Sequence, residues 1–331
     1  MKSKTIKFTA RNVVELCDTE LCDTPEAGMI LLKTVCTLIS RGTELAVLSG
    51  TAGTLPAVLG YSAVAVVLDV GSGVTSVKKG DRCLCYHSKH SSIQLIPERD
   101  VVKIEDDTLP AKEAVFCVVG CMGFQGVRRC RPELGESLMV MGLGLLGQYA
   151  VQTARLSGCY PVIALDFDAK RRELALSNGA DAAFAPDDPG LKEKIHALTD
   201  SKGVDMLIEV TGNPQAIVQG LKLTAKFGRC ALVGCSRTAT ESIDFYNLVH
   251  RPGITILGAH NMARPLEENK PGVWTMREDM KTLLRLMAAG RLDAKRMLTR
   301  IADPADAPEI YAQLLKENSG VPGIVFDWKN Y

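Results

Sequence analysis

Leu138-Met139-Val140-Met141-Gly142-Leu143-Gly144-Leu145-Leu146-Gly147 joins an apolar run to a glycine-spaced turn, and a helical pattern continues from Leu145 to Leu156. Pro161-Val162-Ile163-Ala164-Leu165 follows as a second buried strand ending in Asp166, nineteen residues after Gly147. Strand, glycine turn, helix, strand and acid, in that order, make a dinucleotide-binding βαβ unit. Gly142 makes the tight turn, a side chain at Gly144 would block a pyrophosphate, and Gly147 lets the helix pack closely on the strand. The first helical amides, at Leu145 and Leu146, point their partial positive charge at the phosphates. A carboxylate at Asp166 accepts ribose hydroxyls and repels a 2′-phosphate, so NAD is favoured over NADP. Lys170, Arg171 and Arg172 follow closely. Any of these cations, Arg171 among them, would accommodate the phosphate, which leaves NADP open as the second cofactor.

Strands alternating with helical segments surround this unit. The pattern predicts strands at 138–142, 161–166, 182–185, 204–210, 229–234 and 254–258, which suits an open, doubly wound parallel α/β sheet. Thr211, Val233, Cys235, Gly258 and His260 stand at or just past the later strand ends, where such a sheet lines its cofactor. The chain before about residue 118 is different: short apolar or alternating runs at Met29–Val35, Ser62–Val70 and Gln94–Pro97, separated by glycine turns, predict a β-rich part. After Pro271, the spacing of Met276, Met280, Leu283, Leu284 and Met287 predicts a helix stopped at Gly290. A second helix over Pro304–Lys316 and a returning strand over Gly323–Trp328 end the pattern.

Charge and composition narrow the class of partner. Among 331 residues, 39 Lys and Arg stand against 38 Asp and Glu, a net charge of +1. No field of one sign recruits nucleic acid or an anionic membrane surface. No apolar stretch is long enough to span a bilayer and Met1–Lys7 has no apolar core, so the expected location is the cytoplasm and the expected partner a small-molecule substrate. The eleven cysteines are an odd number scattered through apolar segments, as at Cys36, Cys117, Cys159 and Cys230. They fit reduced, buried thiols and no disulfide framework.

Further motifs carry a family resemblance. Ser40-Arg41-Gly42-Thr43-Glu44-Leu45 is similar to a Cys-Gly-Thr/Ser-Asp segment, Leu59-Gly60-Tyr61-Ser62 to Gly-His-Glu, and Gly80-Asp81-Arg82 to a Gly-Asp-Arg-Val turn. Phe116–Arg129 resembles a linking helix, and Leu232-Val233-Gly234 a strand end at a nicotinamide pocket. Together they resemble the medium-chain dehydrogenase/reductase family. The resemblance implies a GroES-like catalytic domain made of residues 1–118 and 263–331, a Rossmann NAD-binding domain over 119–262, and a homodimer or homotetramer.

The departures bear on mechanism. Zinc members of the family bind a catalytic metal through Cys and His at the first two motifs and a third ligand from the linking segment. Here Arg41, Tyr61 and Val118 stand there, with Cys117 adjacent. Arginine is no zinc ligand and about three protein ligands are needed. The expectation is therefore no metal, as in the zinc-free branch that includes proteins similar to bacteriochlorophyllide hydroxyethyl dehydrogenases. An opposing possibility is Cys83, Cys85 and His87, which alternate on a predicted strand, with His90 nearby. Without zinc, the resemblance puts catalysis on the residues at the former ligand positions. Tyr61 would handle the alcohol proton, Arg41 polarise the oxygen, Thr43 relay the proton and Glu44 orient Arg41, with His87 as a second candidate base. The segments 86–92 and 262–274, rich in polar residues, point to a polyol or sugar-like secondary alcohol. Two other classes stay open: an NAD(P)H-dependent quinone or enone reductase, and a non-catalytic NAD(H)-binding sensor.

Overall fold

The computed structural model describes the chain except at residues 237, 238, 240, 241, 317–319, 321 and 322. It divides into two compact units, one made of Met1–Val119, Arg277–Asn318 and Pro322–Tyr331, the other of Gly120–Met276 and Ser319–Val321.

In unit one, β1 (Lys2–Ala10) and β2 (Val13–Glu20) form an antiparallel pair, and β3 (Met29–Leu38) is followed by helix α1 (Arg41–Leu48). Next come β4 (Ser62–Val70), β5 (Arg82–Tyr86), β6 (Ile93–Pro97), β7 (Val101–Lys103) and the single turn α2 (Ala111–Ala114). Helix α3 (Cys117–Cys130) carries the chain onward to unit two. Late in the chain, α8 (Met276–Ala288), β14 (Leu298–Ala302), α9 (Ala307–Lys316) and β15 (Gly323–Asp327) return to unit one. Its main sheet has the order β14-β15-β3-β4-β5-β7, with β6 also on β3. Strand β3 is buried along most of its length because it has strands on both sides and a core cluster of Ile30, Leu32, Ala63, Ala65, Val67, Cys83 and Cys85 over one face. A second cluster gathers Ile6, Phe8, Leu48, Tyr311, Phe326 and Trp328 from both ends of the sequence.

Unit two contains β8 (Leu138–Met141), α4 (Leu145–Leu156), β9 (Val162–Leu165), α5 (Ala169–Ser177), β10 (Ala182–Phe184) and α6 (Leu191–Leu198). It continues through β11 (Val204–Glu209), α7 (Pro214–Lys222), β12 (Thr224–Leu232) and β13 (Thr255–Gly258). All the pairings are parallel, in the order β10-β9-β8-β11-β12-β13. This is the doubly wound sheet predicted from the sequence. Strands β8 and β9 are buried throughout, since the apolar clusters on the two sheet faces cover their side chains, which explains why they show no alternation.

Residues 263–276, assigned from sequence to the first part, group instead with unit two. Arg264 Nη2 donates to Cys121 O at 2.7 Å, and the Arg128 guanidinium lies 4.1 Å from the Trp274 ring centroid. These contacts, made to α3 within unit two, are invisible to local patterning. The eleven cysteines are all free thiols, and eight are buried. Among the described residues no helix is long and apolar enough to cross a membrane.

Candidate active site

The glycine turn has the shape its residue types imply. Gly142 sits at φ +91°, where a side chain is strained, and a Cβ there would come within 2.9 Å of Thr211 Cγ2. At Gly147 a Cβ would meet the Gly142 carbonyl oxygen at 1.9 Å, so only glycine lets the helix approach. At Gly144 a Cβ would meet nothing within 4 Å. That space lies before the first turn of α4, whose amides, Leu145 and Leu146 among them, have no side-chain cap at Gly144. Uncapped amides beside open space form an anion cradle. Gln148, unmarked in the sequence reading, holds the turn from behind, its Nε2 donating to Leu143 O at 3.1 Å and Arg171 O at 2.9 Å.

Asp166 lies at the end of β9 and is nearly buried. Its Oδ2 accepts from Leu143 N at 2.8 Å and its Oδ1 from Asp168 N at 2.9 Å. The acid thus ties the glycine turn to the second strand while keeping lone pairs for a further donor. Arg171 Nη1 stands 3.4 Å from the same Oδ2, and Arg171 Nε donates to Gly320 O at 2.8 Å. The cation expected to accommodate NADP is therefore a partner of the acid expected to favour NAD.

Because β8, β11, β12 and β13 are consecutive in the sheet, their carboxyl ends share one edge. Thr211 lies against Gly142, and Val233 is buried. Gly212 is so close to Cys235 that a Cβ would come within 2.5 Å of the Cys235 oxygen. Cys235 and Gly258 are exposed. His260 is exposed too, and its Nδ1 accepts from Met262 N at 3.2 Å, which turns the ring into its own loop. Sequence reasoning passed over Glu209, the last residue of β11. Its buried carboxylate accepts from Thr211 N at 2.7 Å, Gly212 N at 3.1 Å and the Thr211 hydroxyl, fixing the turn beside Gly142. Burial pushes its carboxyl above the ordinary value against the pull of those donors.

In unit one, Tyr61 is half-buried and its hydroxyl is hydrogen-bonded to Ser40 Oγ. Arg41 opens α1 and donates from Nη2 to Leu314 O at 3.2 Å, and Thr43 is exposed on the same helix. Glu44 does not orient Arg41, contrary to the sequence expectation. Its carboxylate is buried, with Oε1 accepting from Ser40 N at 2.8 Å and lying 3.3 Å from His90 Nε2, while Oε2 accepts from Tyr311 OH at 2.5 Å. Burial, reinforced by Glu44, holds the Tyr311 phenol well above the ordinary tyrosine range. The second candidate base, His87, is exposed and pairs through Nδ1 with Asp100 Oδ2 at 3.0 Å.

Arg41, Tyr61 and Val118 stand at the positions that the resemblance gives to zinc ligands. Arg41 only donates, Val118 has no donor atom, and the buried Cys117 thiol donates to Met280 O at 3.5 Å. The residues present do not fit a catalytic zinc. The alternative cluster also separates. Cys83 and Cys85 fill the core, where burial pushes the Cys83 thiol up to about 12. His87 adopts φ 53°, which breaks the strand alternation and sends its ring outward. His90 is buried with Nδ1 2.7 Å from Thr37 Oγ1. Among the described residues no three His, Cys, Asp or Glu side chains gather as metal ligands.

Comparison with known proteins agrees with this architecture. Residues 146–289 match the family model described as zinc-binding dehydrogenase. L-threonine 3-dehydrogenase of Pyrococcus abyssi is 26% identical over 309 residues, covering 83% of this chain and 84% of that protein. D-guloside 3-dehydrogenase of Escherichia coli K12 is 26% identical over 264 residues, covering 78% of this chain and 74% of that one. Among solved structures, the alcohol dehydrogenase rspB of Escherichia coli CFT073, complexed with NADH, superposes with a TM-score of 0.85 at 17% identity, covering 98% of this chain and 99% of that chain. Over most of its length the chain is similar to zinc-type dehydrogenases, and residues 146–289 carry the match to that family.

Proposed function

We propose that the chain is a zinc-independent alcohol dehydrogenase that oxidises a secondary alcohol of a polyol or sugar-like molecule to the ketone with NAD. The observation that carries the reading is the cradle at Gly144, open in front of the uncapped first turn of α4 and flanked by Asp166. NAD, held by the Gly142–Gly147 turn and Asp166, would supply the hydride acceptor for the alcohol carbon. The remaining tasks belong to side chains. The α4 amides hold the pyrophosphate, and Asp166 accepts from the adenosine ribose. Tyr61 receives the alcohol proton, Arg41 supplies positive charge to the oxygen as it becomes carbonyl, and Thr43 passes the proton to solvent. A secondary alcohol is supported by the names of two relatives, L-threonine 3-dehydrogenase and D-guloside 3-dehydrogenase, and a sugar-like one by the second alone. We further assign a homodimer, paired through β13, whose outer edge has no strand on it among the described residues; sedimentation of a monomer would contradict this.

The test is NADH formation at saturating NAD with a panel of polyols, sugars, glycosides and simple secondary alcohols, under a strong chelator throughout. Turnover that survives the chelator and falls by about a hundredfold or more in Tyr61→Phe is the expected result. Turnover abolished by the chelator and restored by zinc overturns the metal-free reading. Activity confined to enones or quinones overturns the alcohol reading.

A further inference from the structure

Ser40 occupies the N-cap position of α1 and yet makes no side-chain cap. A serine there ordinarily accepts a hydrogen bond from an amide of the first turn, and losing that bond costs roughly 1 kcal/mol. Here the hydroxyl turns to Tyr61 instead. Glu44 closes the helix start in its place: its Oε1 accepts from Ser40 N at 2.8 Å while its own amide donates to Ser40 O at 3.0 Å.

The arrangement is held from beneath by a buried polar network. Glu44 is fixed by Tyr311 OH at 2.5 Å and lies 3.3 Å from His90 Nε2. His90 Nδ1 is 2.7 Å from Thr37 Oγ1, which also accepts from Trp328 Nε1 at 3.0 Å. The same His90 sets the backbone of Tyr61: its amide donates to Leu59 O at 2.9 Å, and Gly60, at φ +111°, approaches so closely that a Cβ would lie 2.9 Å from His90 N. On the other side of Tyr61, the Ser62 hydroxyl donates to Val115 O. Both partners of the hydroxyl pair are therefore referenced to one buried histidine. Networks of this kind fix a geometry when their members are satisfied.

We propose that Ser40 is a positioning residue that donates its hydroxyl hydrogen to the Tyr61 oxygen when that oxygen is deprotonated, holding the phenolate ready for the alcohol's proton. This rests on Tyr61 being the base of the proposed dehydrogenase. In the step itself the substrate O–H breaks and a Tyr61 O–H forms, as the hydride leaves for NAD. The Ser40 hydroxyl, able both to donate and to accept, then rotates to receive the bond from the neutral phenol. The proton later leaves Tyr61 for solvent by way of Thr43. Ionisable groups on the elements around the pair include Arg41 and Glu44 on α1, Tyr311 against Glu44, His90 against Gly60, Tyr86 opposite Ser62 and Cys85 opposite Ala63 in the β4–β5 register, and Asp69, Arg82 and Cys83 further along those two strands. The Ser40 hydroxyl meets the Tyr61 oxygen directly.

The test needs no substrate at first. In protein labelled with 13C at the tyrosine ring carbon bearing the hydroxyl, the Tyr61 resonance is the one lost in Tyr61→Phe, and its titration is followed by NMR. Ser40→Ala should raise its midpoint by about one to two pH units, since a hydrogen bond to the charged form favours that form. Ser40→Thr, which keeps a hydroxyl, should return it to within about half a unit of the parent. Ser40→Gly, which helix N-caps tolerate, serves as the second hydroxyl-free variant should the alanine form fail to fold. A midpoint unmoved in both hydroxyl-free variants overturns the proposal whatever Tyr61→Phe does to turnover. A midpoint that moves while Tyr61→Phe turns over at the parent rate overturns Tyr61 as the base, and with it the catalytic task of Ser40.

Discussion

A methyl group added at Gly144 meets nothing, and one added at Gly147 meets the Gly142 carbonyl oxygen. The two glycines of one motif therefore have separable tasks. Gly144→Val should leave the melting temperature of the protein unchanged and abolish NADH binding, read by nicotinamide fluorescence. Gly147→Ala should destabilise at or beyond the upper end of the roughly 1–3 kcal/mol that overpacking costs, because backbone cannot yield as a side chain does. Equal loss of stability in both variants would contradict this division. Asp166 makes a further residue-scale prediction. Its Oδ2 is 3.4 Å from Arg171 Nη1, so Asp166→Ser removes a charge that repels a 2′-phosphate and releases a cation that attracts one. Paired NADH and NADPH titrations should show the ratio of Kd values moving towards NADPH by about tenfold or more, equivalent to about 1.4 kcal/mol. An unchanged ratio would place the cofactor preference elsewhere.

At the scale of elements, the end of β11 is held by an acid that is costly to ionise. Glu209 has its carboxyl raised above 4.5 by burial. Between its unfolded and folded values the native state binds more protons than the unfolded state, so this group's contribution to stability falls as pH rises through that window. Unfolding midpoints of the parent and Glu209→Gln, compared from acid to neutral pH, should diverge in that interval with the parent losing more. Parallel curves would mean that Glu209 titrates normally. The sequence made the βαβ unit legible because every part of it is local: the apolar strands, the glycine spacing and Asp166 all fall within one short segment. The support beneath Tyr61 was not legible in the same way. Glu44 meets His90 across 46 positions and Tyr311 across 267, and no periodicity records partners so far apart. The expectation for Glu44 failed for that reason, since a carboxylate three residues from Arg41 is drawn to it in a local reading and to buried partners in the folded one. His87 leaves the predicted strand alternation for a backbone reason, the left-handed turn that carries its ring out of the strand.

At the scale of the whole molecule, unit one is assembled from three separate pieces of chain and most of unit two from one. Strand β15 stands between β14 and β3, contributing Phe326 to the core with Trp328 just beyond it, both fully buried. Deleting residues 323–331 should abolish the cooperative unfolding of unit one while a variant so shortened still binds NADH through unit two. Limited proteolysis would show resistant fragments from 120–276 only, whereas protection of the first hundred residues would contradict the prediction.

The place of β15 also orders events in time. Residues 36–38 of β3 meet β15, the strand on the side away from β4, only after all of unit two has been synthesised. Until then, the emerging N-terminal segment offers an unpaired β-edge beside a core lacking its largest aromatic side chain. A ribosome making this protein can finish its nucleotide-binding half as an independent product, but the half that carries Tyr61 stays unfinished for most of translation. Slowed elongation between codons 120 and 276 should therefore lower the soluble yield of otherwise unaltered chains by lengthening the exposure of that edge, and co-expressed holdase chaperones should restore it.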